Sequence, residues 1–477
     1  MRLRSLRSRY FGNWAFYRMA LMVAVPMMIQ NAITNFVSLL DNIMVGQVGT
    51  AQMTGVAISN QLIFVYNLAI FGAVSGAGIF GAQFFGSGDK EGVRHAFRFK
   101  IYICTFIFAV VALIFGVWGE DLIMLYLKGE GEVENIQASL HYAKEYLYIM
   151  LVGLLPSTLA SCYAGTLREC GKTLAPMVAG ITAVFVNLGL NLVLIFGYFG
   201  IPAMGSAGAA LATVISRFVE LGVVAAYGHF SKEGKPLFGG IFRKLAMPRH
   251  LFVNILKKSF PLLLNETLWS GGMAMLAQCY SRYGYEVVSA YQISSTISNV
   301  FTVSFTTMGV AIGIIVGQSL GANKIEEAKD TDRKLIVFTL LMCTSLGLVL
   351  VWAAPYITGI YSKSTAEIRA LATFFLRTVT LFTPAHALAN ACYFTLRSGG
   401  KTFITFLFDS FYVCVFVLPL ANLLSYCTNL DIYWIYIICQ ATEVGKCMVG
   451  LVMLKKGVWI QNIVKGDSSC KTLKTEA

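Results

Sequence analysis

Twelve apolar stretches, at about 17–45, 55–80, 101–119, 144–166, 174–198, 206–229, 259–281, 288–317, 335–359, 370–396, 403–425 and 432–453, constrain this chain more than any other feature. A helix that crosses a bilayer needs roughly 20 apolar residues. Twelve such helices leave short connections and no room for a large soluble domain. Charge supports the same conclusion: only 13% of the 477 residues are Asp, Glu, Lys or Arg, against about 25% in soluble domains. That excludes an ordinary cytosolic enzyme, and the 34 Phe and 22 Tyr exclude a disordered chain. The sequence therefore predicts an all-α integral membrane protein with twelve transmembrane helices.

The charges are sorted along the chain. With the N-terminus cytoplasmic, 29 of the 37 basic residues fall on inside segments, from the N-terminal Arg2, Arg4, Arg7 and Arg9 to Lys455 and Lys456. Six fall outside (Lys128, Lys144, Arg282, Lys363, Arg369 and Arg377), and Arg217 and Lys446 lie within spans. The excess places both termini inside a cytoplasmic membrane and accounts for most of the +13 charge without nucleic acid. The outer segment 120–134 is acidic, with Glu120, Asp121, Glu130, Glu132 and Glu134. The basic N-terminus resembles a signal peptide, but the apolar run continues past Asp41 without a small-residue cleavage site and reads as the first span. The 11 Cys show no metal spacing and read as small buried residues.

The basic loop 231–257 separates six spans from six. It divides the chain into an N-terminal lobe at 1–230, this linker, a C-terminal lobe at 258–455 and a cytoplasmic tail at 456–477. The halves repeat one another. TLRECGKT (166–173) is echoed by TLRSGGKT (395–402), and Gln83 with Gly86 by Gln318 with Gly321. Pro26 is echoed by Pro261, and Glu220-Leu221-Gly222 by Glu443-Val444-Gly445. Matches in the same order, in halves of the same topology, make parallel repeats. Two motifs mislead. GTLRECGKT resembles a phosphate-binding loop but has Thr166 where that motif needs Gly, so it reads as a helix stopped by Gly, and ATP is not the energy source. GSGDKEGVR (86–94) resembles a loop of major facilitator transporters, yet GANKIEEAK in the second half does not repeat it.

A charge at mid-bilayer costs about 2.5–3.5 kcal/mol on insertion scales, so intramembrane acids are candidates for function. Five qualify: Asp41, Glu220, Glu266, Asp409 and Glu443. Glu220 and Glu443 each have a basic residue three positions away, Arg217 and Lys446, and read as structural ion pairs. Asp41, Glu266 and Asp409 have none within four positions and read as unpaired cation-coupling acids. Glu266 and Asp409 each follow the last cytoplasmic Lys by eight residues, about 12 Å deep at 1.5 Å per residue, so one site can hold both. Asp41 belongs to a different depth in the first half. His386 is read as a packing residue or a proton handler. Asn187 and Asn191, one turn apart, can ligate Na⁺ through amide oxygens together with Asp41, or bond between helices. Asn60, Gln61, Gln292 and Asn299 are candidate cation or substrate contacts lining a cavity.

These residues resemble the multidrug and toxic compound extrusion (MATE) family over nearly the whole chain. The resemblance rests on PMMIQNAITNFVSLLDNIMVGQVGT, GAQFFGSGD, TLRECGKTLAP with NLGLNLVLIFG, PLLLNETLWSGG, and TLRSGGKT followed by Asp409 and VCVFVLPL. It implies a V-shaped pair of six-helix lobes around a central cavity. It also implies secondary antiport, with entering H⁺ or Na⁺ driving export of organic, often cationic, compounds and no other cofactor. Asp41 matches the family's first-lobe acid, and Glu266 and Asp409 match second-lobe acids. The chain departs from some members in having Asn191 where they carry an acid in span five, and His386 near an acid position in span ten. The expectation is a monomer acting on small organic substrates in the bilayer. A flippase for a lipid-linked or amphipathic substrate is the alternative. A major facilitator transporter and an intramembrane enzyme find no supporting motif.

Overall fold

The computed structural model describes residues 9–127, 133–242, 246–361 and 364–465. Arg2, Arg4, Arg7, Lys128, Glu130, Glu132, Arg243, Lys244, Lys363 and the chain beyond 465 lie outside the described residues, as does the side chain of Glu134. Each of the twelve apolar runs lies in a helical segment, and no strand occurs among the described residues. In chain order these are α1 Trp14–Gly46, α2 Thr50–Gly86, α3 Lys90–Leu127, α4 Val133–Glu169, α5 Leu174–Phe196 and α6 Gly205–Phe230. The second half holds α7 Arg249–Ser281, α8 Tyr285–Gly321, α9 Ile325–Gly359, α10 in two pieces, Ala366–Leu381 and Thr383–Ser398, α11 Thr402–Cys427 and α12 Ile432–Lys455.

The repeat is visible in the helices. α1 and α7 have 33 residues each, and α2 and α8 have 37. Pro26 and Pro261 both sit inside continuous helices. The two TLR segments end α4 and α10 in the same way. Gly171 and Gly400 adopt φ +72° and +73°, the left-handed conformation that stops a helix. GTLRECGKT is therefore a helix terminus rather than a phosphate loop.

Among the described residues, ten helices are long and apolar enough to cross a membrane. α7 and α10 fall short for identifiable reasons. α7 carries Arg249, Lys257 and Lys258 in its first half and Asn265 and Glu266 at its middle. The run expected at 370–396 is broken at Phe382, because Pro384 in the first turn of the next piece has no N–H to continue the ladder. Phe106, Leu113, Phe185, Leu348 and Trp352 all expose more than 60% of their surface, an apolar covering suited to hydrocarbon. With lipid outside, helices gain little by hiding Leu from solvent and associate through close packing of small residues. α6 does this with the buried run Gly205–Ala210, where a Cβ on Gly208 would stand 2.6 Å from the Leu194 carbonyl oxygen of α5.

The chain forms two compact units. One comprises Ile29–Gly81 and Lys90–Ser259; the other contains the residues up to Met28, Ala82–Asp89 and those from Phe260 onward. The boundary at 259/260 lies close to the expected start of the second half at 258. The C-terminal end of α2, however, groups with the second-half helices, a placement the linear division at 230 did not anticipate. Gln83 accounts for it. Its Nε2 donates to the carbonyls of Ser398 (2.9 Å) and Gln461 (3.1 Å), and its Oε1 accepts from the Ile463 N–H (2.9 Å). Residues 456–465, expected as the start of a tail, are consequently packed, with Trp459 3% exposed.

Candidate functional site

In the first unit, α1 presents Asp41 to α5. Asn187 and Asn191 are one turn apart and both buried, so they project on one face of α5 toward the carboxylate. Asn191 Nδ2 donates to Asp41 Oδ1 at 2.6 Å and to Asn187 Oδ1 at 3.2 Å. Asn187 Nδ2 donates to Thr213 Oγ1 on α6 at 3.1 Å, and that hydroxyl donates to the Ala209 carbonyl. In this arrangement the Asn187 amide oxygen stands 3.1 Å from Asp41 Oδ2. Two acceptors at that distance repel, so the amide is better placed with its nitrogen toward the carboxylate. Turning the Asn187 amide end for end instead gives donors at 3.1 and 3.2 Å to both carboxylate oxygens. Asn187 and Asn191 can therefore both donate to an ionised Asp41. Asn191 Oδ1 is buried without a hydrogen-bond partner. Among the described residues no basic side chain lies within 4 Å of Asp41, and Arg217 acts on it only from farther away.

The second unit builds a different site. Glu266 (α7) and Asp409 (α11) enter one network. Asn265 Nδ2 donates to Asp409 Oδ2 (3.1 Å) and to Tyr393 Oη (3.3 Å), and Tyr393 donates to Glu266 Oε1 (3.2 Å). Around Asp409, α11 widens into two π-helical turns, Leu407–Phe411 and Val413–Val417. One cause is visible: the Ser410 backbone N–H donates to Asn265 Oδ1 (3.2 Å) rather than only along its own helix. A side chain inserted into the ladder distorts it, and such turns recur at functional sites. Pro419, which has no N–H, lies just beyond.

Two expectations are corrected here. Asp409 is not unpaired, because Lys446 Nζ of α12 lies 2.6 Å from its Oδ1. Lys446 does not form the expected ion pair with Glu443. Glu443 and Asp409 are about equally shielded, 15% and 16% exposed, and the buried ammonium takes Asp409 across the helix interface while Glu443 has His386 near it. Glu443 instead faces His386 Nδ1 at 3.9 Å, and His386 Nε2 meets Gln440 Oε1 at 2.9 Å. In the first half the expected pair is present, with Arg217 2.7 Å from Glu220. Of the two readings of Asn187 and Asn191, Na⁺ ligation or bonding between helices, the second is seen here in the hydrogen bonds from α5 to Asp41 on α1 and Thr213 on α6.

Sequence reasoning missed several residues. Lys100, counted with the cytoplasmic loops, is fully buried and holds both Glu169 carboxylate oxygens at 2.6 Å and Thr166 Oγ1 at 2.9 Å. Asn265, the residue before Glu266, organises the second-unit network, and only its polarity within the run PLLLN hinted at it. Asn60, Gln61, Gln292 and Asn299 are exposed. Asn60 accepts from Tyr146 (3.4 Å).

Comparison with known proteins places this geometry. The MatE family model matches residues 26–193 and 261–423, more than half of the chain and both repeats. The chain is 25% identical to the probable multidrug resistance protein NorM of Thermotoga maritima, covering 94% of this chain and 95% of that protein. It is similar to the solved structure of an outward-facing multidrug resistance MATE family transporter of the MOP superfamily, with TM-score 0.82, 18% identity, and 95% and 97% of the two chains covered. A MOP superfamily transporter from Pyrococcus furiosus matches with TM-score 0.83 at 18% identity over the same shares. With repeats, helices and family pattern in agreement, the chain belongs to the MatE family of multi-pass membrane transporters.

Proposed function

We propose that this protein is a secondary active antiporter that exports organic, cationic drugs or toxins in exchange for an entering cation. The family and the multidrug resistance relatives support export of small molecules. One observation carries the coupling: Asp41 is an intramembrane carboxylate with two buried amides and no basic partner within 4 Å among the described residues. From outside, Asp41 takes up a cation and substrate is released; toward the inside the cation leaves, and the negative charge favours a cationic substrate. Exchange of one cation for one singly charged substrate moves no net charge, so a tenfold gradient of the coupling ion, about 1.4 kcal/mol, supports a tenfold substrate gradient, and each further cation that enters adds about 2.3 kcal/mol per 100 mV. Glu266, which also lacks a basic group within 4 Å among the described residues, is a second candidate. We place the protein in the cytoplasmic membrane with both termini inside, from the distribution of Lys and Arg.

A proton is the coupling ion we favour, because Asp41 Oδ1 already accepts from Asn191 Nδ2 at 2.6 Å and a proton needs only the one remaining carboxylate oxygen, whereas Na⁺ needs several oxygen ligands. Sodium is supported by one observation, the unpartnered Asn191 Oδ1 beside Asp41. Purified protein in proteoliposomes, given a pH gradient and a Na⁺ gradient in separate experiments, should move ethidium uphill with the pH gradient alone. Uphill movement with Na⁺ alone would transfer the role to sodium. Movement under neither would refute the antiport reading.

A further inference from the structure

We infer that Lys446 is a tethered cation that occupies the second-half carboxylate Asp409, so that Asp409 contributes no coupling ion to the transport cycle. The inference rests on the cation-coupled reading above and specifies where coupling does not occur. Asp41 and Asp409 are the same chemical group, each on a membrane-spanning helix, but their surroundings differ. Both Asp409 oxygens have fixed partners: Lys446 Nζ at 2.6 Å on Oδ1 and Asn265 Nδ2 at 3.1 Å on Oδ2. Lys446 is 6% exposed, and its ammonium lies 5.5 Å from the Phe408 ring centroid.

The other charged groups around Lys446 are accounted for. Glu443 lies one turn earlier on the same helix and faces His386. Glu266 is reached through Asn265 and Tyr393, and Arg397 is the base whose charge acts on it. A sodium ion at Asp409 would have to displace an ammonium that is covalently held in place. A proton there would leave Lys446 buried without its counter-ion, which a low-dielectric interior opposes. The arrangement is particular to the second half. In the Glu220/Glu443 register Lys446 falls opposite Val223 and Asp409 opposite Val186, so the first half repeats neither member of the pair.

The test counts cations per ethidium exported, read from the opposing ethidium gradient that brings net flux to zero in proteoliposomes. Lys446→Gln leaves Asp409 without its partner and should raise the count by one over the wild type. Asp409→Asn/Lys446→Gln removes both charges and should return the wild-type count, and Lys446→Arg should also retain it. An unchanged count in Lys446→Gln, or a lower count in the double variant, would overturn the inference while leaving antiport intact. Should Lys446→Gln not fold, the charge-neutral double variant decides: the wild-type count supports the inference and a lower one overturns it. A wild type that shows no gradient-driven ethidium movement removes the antiport reading and this inference with it.

Discussion

Removing Lys100 alone should destabilise the protein far more than removing Lys100 together with its partner. Lys100 is 0% exposed and Glu169 is 7% exposed, and the ammonium holds both carboxylate oxygens at 2.6 Å. The fit is tight on the α2 side, where a Cβ on Gly81 would stand 2.1 Å from Glu169 Oε2 and one on Gly78 2.6 Å from Oε1. Glu169 therefore has little room to swing toward water once its partner is gone. Truncating one member of a buried pair typically costs about 3–5 kcal/mol, whereas replacing both by apolar groups is often neutral. A loss of about 3 kcal/mol is more than a hundred-fold in the folded-to-unfolded ratio. At about 2–4 °C per kcal/mol it corresponds to a midpoint roughly 6–12 °C lower. Thermal unfolding of purified Lys100→Met, Glu169→Gln and Lys100→Met/Glu169→Leu in detergent checks this. The singles should each lose several degrees, and the double should lie within about 1 kcal/mol of the wild type, a non-additivity that only interacting sites give. Singles within about 0.5 kcal/mol of the wild type, or additive losses, would refute the reasoning.

Other perturbations follow the same logic. Gly86→Ala places a methyl 1.9 Å from the Gln318 carbonyl oxygen, so little folded protein should survive size-exclusion chromatography. Gly400→Ala, at φ +73°, should cost about 1–2 kcal/mol in thermal unfolding. Asn265→Ala removes three hydrogen bonds to Asp409 and Ser410; at about 0.5–1.5 kcal/mol each it should lower stability and speed amide exchange across 407–411. Near the helix ends, Lys172 at 2.8 Å holds the Glu233 carboxyl below its usual range, with Tyr227 adding a hydrogen bond. The sign for a depressed carboxyl is stability present above its unfolded pKa and lost as pH falls through the folded one. Because the pair is exposed, Glu233→Gln should leave the pH profile of unfolding almost unchanged.

Much of the architecture was legible because membrane helices announce themselves by length and apolar composition. The repeat was legible because its landmarks are residues with backbone or polar duties: Pro26 and Pro261, the two TLR helix stops, and Gln83 with Gly86 against Gln318 with Gly321. Asp41 stood out for the same reason, as a lone acid in an apolar run. Partner choice between helices was not legible. Lys446 lies three residues from Glu443 in sequence, yet its ammonium crosses to Asp409, and nothing in the local pattern encodes how α11 is turned around its axis. Those π-helical turns depend on Asn265, 144 residues earlier. Lys100 looked like a loop cation because it precedes the apolar run, and its burial depends on space left by Gly78 and Gly81 on another helix.

The central claim is that Asp41 couples cation entry to export. Its most direct test is uphill ethidium transport in proteoliposomes under an imposed gradient of the coupling ion, comparing the wild type with Asp41→Asn. The account predicts gradient-driven accumulation by the wild type and only passive equilibration by a variant that unfolds at the wild-type temperature. Undiminished uphill transport by folded Asp41→Asn protein would contradict it.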